Sequence, residues 1–199
     1  MKKRKYQQKA RAEQARETHQ QILEAAVKLH EQLGPANTSI KAIAEQAGVQ
    51  RLTVYRHFPD DASLFEACTA HWLSQHPPPS VADAGELPDH QTRTEKTLLA
   101  VYRYYRQTER MWTVAYRDVD EVAALHVPMG RVEAYFDQMR DELLDAWTLK
   151  AGSKKLFSLT LRHGLRFSTW RALKAEKLSD KKILELVMGW LICAANTQA

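Results

Sequence analysis

The chain has 199 residues, 44% of them hydrophobic and 27% charged, with a formal net charge of +5. That length suits one domain or a small domain joined to a larger one, and the apolar share is enough for a core. No apolar run nears the roughly 18 residues that span a bilayer, the basic N-terminus lacks the apolar stretch of a secretory signal, and two cysteines far apart make neither a disulfide framework nor a metal site.

Cys68 and Cys193 each sit inside an apolar helical pattern, which points to a reducing cytoplasm. The charge is unevenly placed. Lys2, Lys3, Arg4, Lys5, Lys9, Arg11 and Arg16 stand against only Glu13 and Glu17 in residues 1–17, so this arm carries the whole excess. A basic arm on a neutral body fits a nucleic-acid partner; a solvated tail is the other reading.

Apolar residues recur at helical spacing and no segment alternates as a strand would, so the class is all-α. The pair Thr18 and Gln21 fits a capping box and predicts a first helix from Thr18, with Ile22, Ala26, Leu29 and Leu33 on one face and a stop at Gly34-Pro35. Thr38-Ser39 starts a second helix carrying Ile40, Ile43, Ala44 and Ala47, which ends at Gly48. A third spans Gln50 to Phe58, closed by Pro59, and Asp60 or Asp61 caps a fourth bearing Leu64, Phe65, Cys68 and Trp72. Pro77-Pro78-Pro79 ends that helix and opens a loop that runs to His90. Further helices are predicted near 92–109, 111–117, 128–148, 154–175 and 180–195. The helix over 154–175 has one stripe of Leu156, Thr160, His163, Phe167 and Trp170, and another of Phe157, Leu161, Leu165 and Ala172. The last helix is apolar nearly all round. Such helices must be covered twice, and a second copy of the chain is the simplest cover. Ala194 is read as part of that interface.

The two short helices joined by Ala47-Gly48-Val49 match a helix-turn-helix, in which glycine supplies the tight positive-φ turn. Ile43, Ala44, Val49 and Val54 are apolar where the pair must pack. The second helix offers Gln50, Arg51, Thr53, Tyr55, Arg56 and His57, the donors and acceptors that base edges and phosphates require. The run TSIKAIAEQAGVQRLTVYRHFPDDASLFEA, residues 38–67, resembles the DNA-binding domain of the TetR/AcrR family of transcriptional regulators. The likeness rests on Ile43-Ala44, Ala47-Gly48-Val49, Thr53-Val54-Tyr55, Phe58, Pro59 and Leu64, and extends over about residues 16–72.

The resemblance implies a three-helix N-terminal DNA-binding domain and a C-terminal helical domain for ligand binding and dimerisation. It assigns Thr38 and Lys41 to DNA contact from the second helix, Arg51 and Thr53 to bases, and Tyr55 and His57 to phosphates; Gln50 and Arg56 fit either role. Two positions depart from the family pattern. Leu52 stands where a small residue is common, so it meets a thymine methyl or widens the gap. Asp61 replaces a common lysine, and the basic arm is expected to compensate by following the DNA backbone or entering the minor groove. The implied partners are double-stranded DNA with a palindromic operator, a second copy of the chain, and a small-molecule effector that releases a repressor. No cofactor, metal, catalytic residue or membrane association is implied.

The division that follows is a basic arm over 1–17, the helix-turn-helix domain over 18–75, a linker over 76–91 and a regulatory domain over 92–199. Tyr102, Tyr105, Trp112, Tyr116, Phe136, His163, Phe167 and Trp170 are candidate effector contacts, with Trp147 beside them, although aromatics at helical spacing also read as core. His163 equally suits a core or interface position. Arg103, Arg106, Arg117 and Arg171 suit an anion or a solvated face. Two other readings stay open: control of the same fold by a protein partner, and a helical enzyme, for which no Gly-rich phosphate loop, metal quartet or nucleophile elbow speaks.

Overall fold

The structure, a computed structural model, describes residues 2–85 and 89–197, with the side chains of 2–5 excepted. The side chains of Lys2, Lys3, Arg4 and Lys5, and the stretch 86–88 of the predicted loop, therefore lie outside the described residues. Those residues form helices α1 (Lys2–Leu33), α2 (Ile40–Gln46), α3 (Arg51–His57), α4 (Asp61–Gln75), α5 (His90–Asp118), α6 (His126–Asp145), α7 (Ala151–Leu165), α8 (Phe167–Ala175) and α9 (Asp180–Asn196), with no strand among them. None of these helices is long and apolar enough to cross a membrane.

Three boundaries differ from the sequence reading. The first helix begins at Lys2 rather than Thr18. The Thr18 hydroxyl donates to the Gln14 carbonyl at 2.9 Å, as a threonine inside a helix does, so no capping box forms there. The preceding Lys, Gln, Ala, Arg and Glu residues are good helix formers with no breaker among them. The helices expected at 92–109 and 111–117 are one helix, α5, because Glu109-Arg110 contains nothing that stops one. Conversely, the single helix expected over 154–175 divides at Arg166, whose ψ of 136° is extended. The α7 end is held from outside its own sequence: Tyr102 donates to the Gly164 carbonyl at 3.0 Å and Tyr105 to the Leu165 carbonyl at 2.7 Å. These are the carbonyls a helix end leaves without partners.

The chain divides into two compact units, residues 1–76 with 110–129, and residues 77–109 with 130–199. The unit boundary thus crosses α5 and α6 as well as the proline-rich loop. In the first unit, Ile22, Leu23, Ala26 and Leu29 of α1 pack with Ile43 and Ala44 of α2, Val54 and Phe58 of α3 and its end, and Leu64 and Cys68 of α4. Burying each large side chain among these stabilises the unit by about 1.5–3 kcal/mol. In the second unit, α7 and α9 lie side by side, and Tyr105, Phe136, Phe167 and Trp170 pack ring against ring, with Tyr105 centroids 5.3–5.9 Å from the other three.

Of the two stripes, Phe157, Leu161 and Leu165 are buried; in the other, Leu156 and His163 are exposed, Thr160 is half-buried, and Phe167 and Trp170, beyond the break at Arg166, are buried, while Leu159, outside both, is exposed. On α9, Ile183, Val187, Met188, Leu191 and Ala194 face inward, and Leu186 and Ile192 stay exposed. Ala194 is 4% exposed within its own unit, so it is a core position of the protomer.

Candidate nucleic-acid interface

The α2–turn–α3 segment is set by local chemistry at every joint. The Ser39 hydroxyl accepts from the Ala42 amide at 3.1 Å and starts α2. Gly48 takes φ 66°, which lets the Val49 amide return to the Ala44 carbonyl at 2.9 Å and turns the chain. At the far end, the Phe58 amide bonds the Val54 carbonyl at 2.8 Å. Asp60 then accepts from the Ser63 amide at 2.7 Å in a reciprocal capping box that begins α4.

Within α3 only Val54 is fully buried, and with Phe58 it anchors the helix to α1. Gln50, Arg51, Leu52, Tyr55 and Arg56 are exposed, and Thr53 and His57 are half-buried. Leu52 is 79% exposed, an apolar side chain presented to solvent with nothing in its unit covering it. Lys41 is exposed and reaches Glu45 at 3.8 Å. Such a pair between solvated groups is worth little and leaves the ammonium free to turn elsewhere. The Thr38 hydroxyl donates to the Gly34 carbonyl at 2.8 Å, so its proton is engaged while its oxygen remains an acceptor. Asp61 lies exposed in the first turn of α4, where a negative charge suits the helix dipole.

Residues 6–17 of α1 are exposed on every side, as a helix without a packing partner. Two residues further on, His19 lies 4.7 Å from the Phe58 ring and 5.8 Å from the His57 ring. Burial, then the neighbouring His19 and Arg56, hold the His57 imidazole below its ordinary range. A neutral ring keeps one N–H to donate. The contact between His19 and α3 has no signal in sequence spacing, since 38 residues separate the rings.

A second set of contacts, also not legible in the sequence, fastens the C-terminal end of α1. Asp118 accepts from the Ala36 amide at 3.0 Å, Arg117 donates to the Leu33 carbonyl at 3.0 Å, and Arg110 donates to the Glu31 carbonyl at 2.9 Å. Arg117 and Asp118 also pair with each other. The end of α5 thereby supplies partners to the groups that α1 leaves open.

The proposed effector contacts fall in both compact units. Tyr102, Tyr105, Phe136, Phe167 and Trp170 are buried together in the second unit, and Trp147 packs on Phe157 there. Trp112 and Tyr116 belong to the first unit, where Trp112 meets Trp72 edge to face at 5.9 Å. His163 is exposed and lines a shallow cleft with Leu159, Thr160 and Trp190. A periodic aromatic stripe marks burial without saying against which element, which is why spacing grouped them. Among the described residues, no three His, Cys, Asp or Glu side chains are placed to hold a metal ion.

Residues 22–68 match the profile of the bacterial regulatory proteins of the tetR family. The HTH-type transcriptional regulator AcrR of Shigella flexneri is 45% identical over 53 residues. That stretch is 27% of this chain and 25% of the relative, so the chain matches about a quarter of the length of this relative. Among solved structures, a TetR-like transcriptional regulator from Rhodococcus sp. RHA1 aligns over 91% of this chain and 97% of its own, with a TM-score of 0.64 at 18% identity. The multidrug binding protein EbrR, solved with imidazole, aligns over 90% of each chain with a TM-score of 0.56 at 16% identity. Over about nine-tenths of the chain the fold is therefore that of these two solved proteins.

Proposed function

We infer that this chain, whose residues 22–68 belong to the tetR family of bacterial regulatory proteins, is a cytoplasmic DNA-binding transcriptional regulator. It reads a palindromic operator as a homodimer and acts as a repressor released by a small-molecule effector. The observation that carries the DNA reading is α3 itself: Val54 alone is fully buried and anchors it, Arg51, Tyr55 and Arg56 are polar and exposed, Thr53 and His57 are half-buried, and Leu52 is an exposed apolar side chain. Arg51 offers two donors to guanine O6 and N7, and Thr53, in the same first turn of α3, offers its hydroxyl to the bases. Leu52 meets a thymine methyl. Tyr55, His57, Lys41 and Thr38 serve the phosphates, and Gln50 and Arg56 complete the contact. The exposed basic stretch of α1 follows the DNA backbone and offsets the repulsion from Asp61.

A mobility shift on DNA from the gene's own promoter region, at two salt concentrations, tests this. A discrete complex that withstands competitor DNA and weakens steeply with salt is expected, and Arg51→Ala should weaken it about tenfold. Retention of full affinity by Arg51→Ala, or loss of the complex to competitor, removes the reading.

The homodimer reading is supported by the α7–α9 pair. Leu156, Leu159, Leu186 and Ile192 are exposed large apolar side chains, 39–53% accessible, on helices whose other faces are already packed. A second copy that buries this face supplies the symmetric partner that reading two half-sites, about one DNA turn or roughly 34–36 Å apart, requires. Leu159→Glu leaves the protomer core intact and is expected to give a monomer by sedimentation; a variant that still sediments as a dimer counts against this face.

Effector release needs a ligand that prefers the non-binding conformation. Control by a protein partner is the second reading. It is favoured by one observation, that the Tyr102 and Tyr105 hydroxyls are already engaged by backbone carbonyls rather than free for a ligand.

A further inference from the structure

The second unit carries a cleft of about 520 Å³, open to solvent, between α5 and the turn that joins α8 to α9. Its walls bring together Arg103 and Arg106 of α5 with Lys177, Asp180 and Lys181, over a base of Leu99 and Leu178. The single carboxylate here is fully occupied. Arg106 donates to both Asp180 oxygens at 2.8 Å, and the Trp170 indole N–H donates to one of them at 3.0 Å. Arg106 is thus neutralised and fixed, and its guanidinium lies 5.7 Å from the Trp170 ring centre.

Arg103, Lys177 and Lys181 make no ion pair among the described residues, and the one carboxylate of the lining, Asp180, is bonded by Arg106, so three cations line the cleft in excess of the negative charge there. Collecting them costs repulsion and brings the protomer no contact in return. Lys177 adds to that cost. It follows the end of α8 at φ 63°, the left-handed conformation that helices usually give to glycine there, at about 1 kcal/mol for a side-chain-bearing residue. The Ser179 oxygen accepts from the Lys182 amide at 3.3 Å, which leaves its O–H to donate. Leu99 and Leu178 are half-buried and apolar.

We propose that this cleft binds a small organic anion: a carboxylate or phosphate monoester whose charged head meets Arg103, Lys177 and Lys181 and whose apolar body lies on Leu99 and Leu178. The volume is in the ordinary range for small-molecule sites, roughly 300–1,000 Å³. Planar Arg103 can take two anion oxygens at once, while the lysines act as point charges. The site lies wholly in the second unit, and the proposal does not depend on the chain binding DNA.

Calorimetric titration of the full chain, without DNA and at low ionic strength, tests it with phenyl phosphate, benzoate and the neutral benzyl alcohol. Saturable binding of phenyl phosphate, one per chain, with a Kd on the order of 1 mM or tighter is expected. Benzoate binding of similar strength assigns the site to anions in general, and much weaker benzoate binding assigns it to phosphate esters. Arg103→Gln and Lys177→Gly should each weaken binding about tenfold. Lys177→Gly relieves the left-handed backbone, so its loss of affinity cannot come from a failure to fold. No saturation with either anion, equal binding of benzyl alcohol, or parental affinity in both variants overturns the proposal.

Discussion

Gly34→Ala is expected to lower the unfolding free energy by about 3 kcal/mol, against about 1 kcal/mol for Gly48→Ala. Both glycines have positive φ, but their surroundings differ. Gly34 takes φ 90° and ψ 155°, a region almost closed to other residues. It is also buried, and an added methyl would run into the Arg117 guanidinium and the Asp118 carboxylate. Those are the groups that bond the Leu33 carbonyl and the Ala36 amide, so the clash removes their hydrogen bonds as well as straining the backbone. At Gly48 the same methyl would project into open space, which leaves only the conformational cost. Urea denaturation of the two variants beside the parent measures the difference; equal destabilisation would mean that the α5 contacts contribute little to the end of α1.

Acidification from pH 7 to pH 5 is expected to cost about 2 kcal/mol through His30 alone. This imidazole is 4% exposed and stacks on Phe65 at 4.9 Å and 10°. Burial pushes its pKa down to about 4, and the nearby Asp118 carboxylate opposes that shift without cancelling it. The unfolded chain, with a histidine near 6.5, takes up a proton between pH 6.5 and 4 while the folded chain does not. Stability therefore rises with pH across that window, is fully present above 6.5 and is lost as the pH falls toward 4. Asp118 titrates below the ordinary carboxylate value, chiefly because Arg117 donates to it, and so contributes its own acid loss at lower pH. His57, also held low, adds to the slope from outside this cluster. In His30→Leu, the fall in unfolding free energy between pH 7 and 5 should shrink by most of that 2 kcal/mol. An unchanged slope would place the acid sensitivity elsewhere.

The part of the chain that reads true from sequence is the part whose structure is decided by neighbours in sequence. Gly34 and Gly48 take the positive φ that their positions suggested, and Ser39 and Asp60 cap the helices that begin after them. Ile43, Ala44, Val54 and Phe58 are buried and the polar face of α3 is exposed, because a short amphipathic helix has only one way to hide its few apolar residues. Each of these outcomes depends on contacts within about four residues, plus one packing surface.

Where the cause is distant, the sequence is silent or misleading. Thr18 looks like a cap, yet the good helix formers before it carry α1 through. Arg166 ends a helix with no breaker beside it, since the α7 carbonyls are taken by Tyr102 and Tyr105 from 60 or more residues away. His30 follows the apolar stripe of α1, but its protonation is set by burial, where it stacks on Phe65, against the opposing charge of Asp118. The aromatic stripes tell of burial and not of partners: Trp112 and Tyr116 belong to the first unit, and Tyr102, Tyr105, Phe136, Phe167 and Trp170 to the second. Arg103, Lys177 and Lys181 are unremarkable in sequence and become a cluster only when α5 passes the α8–α9 turn. Local propensity and periodicity thus determined the all-α class and the helix-turn-helix, because those follow from backbone and side-chain preferences within a few residues. Tertiary packing alone decided helix continuity, which apolar face is covered, and which charges meet, because those depend on groups that only folding brings within a few ångströms.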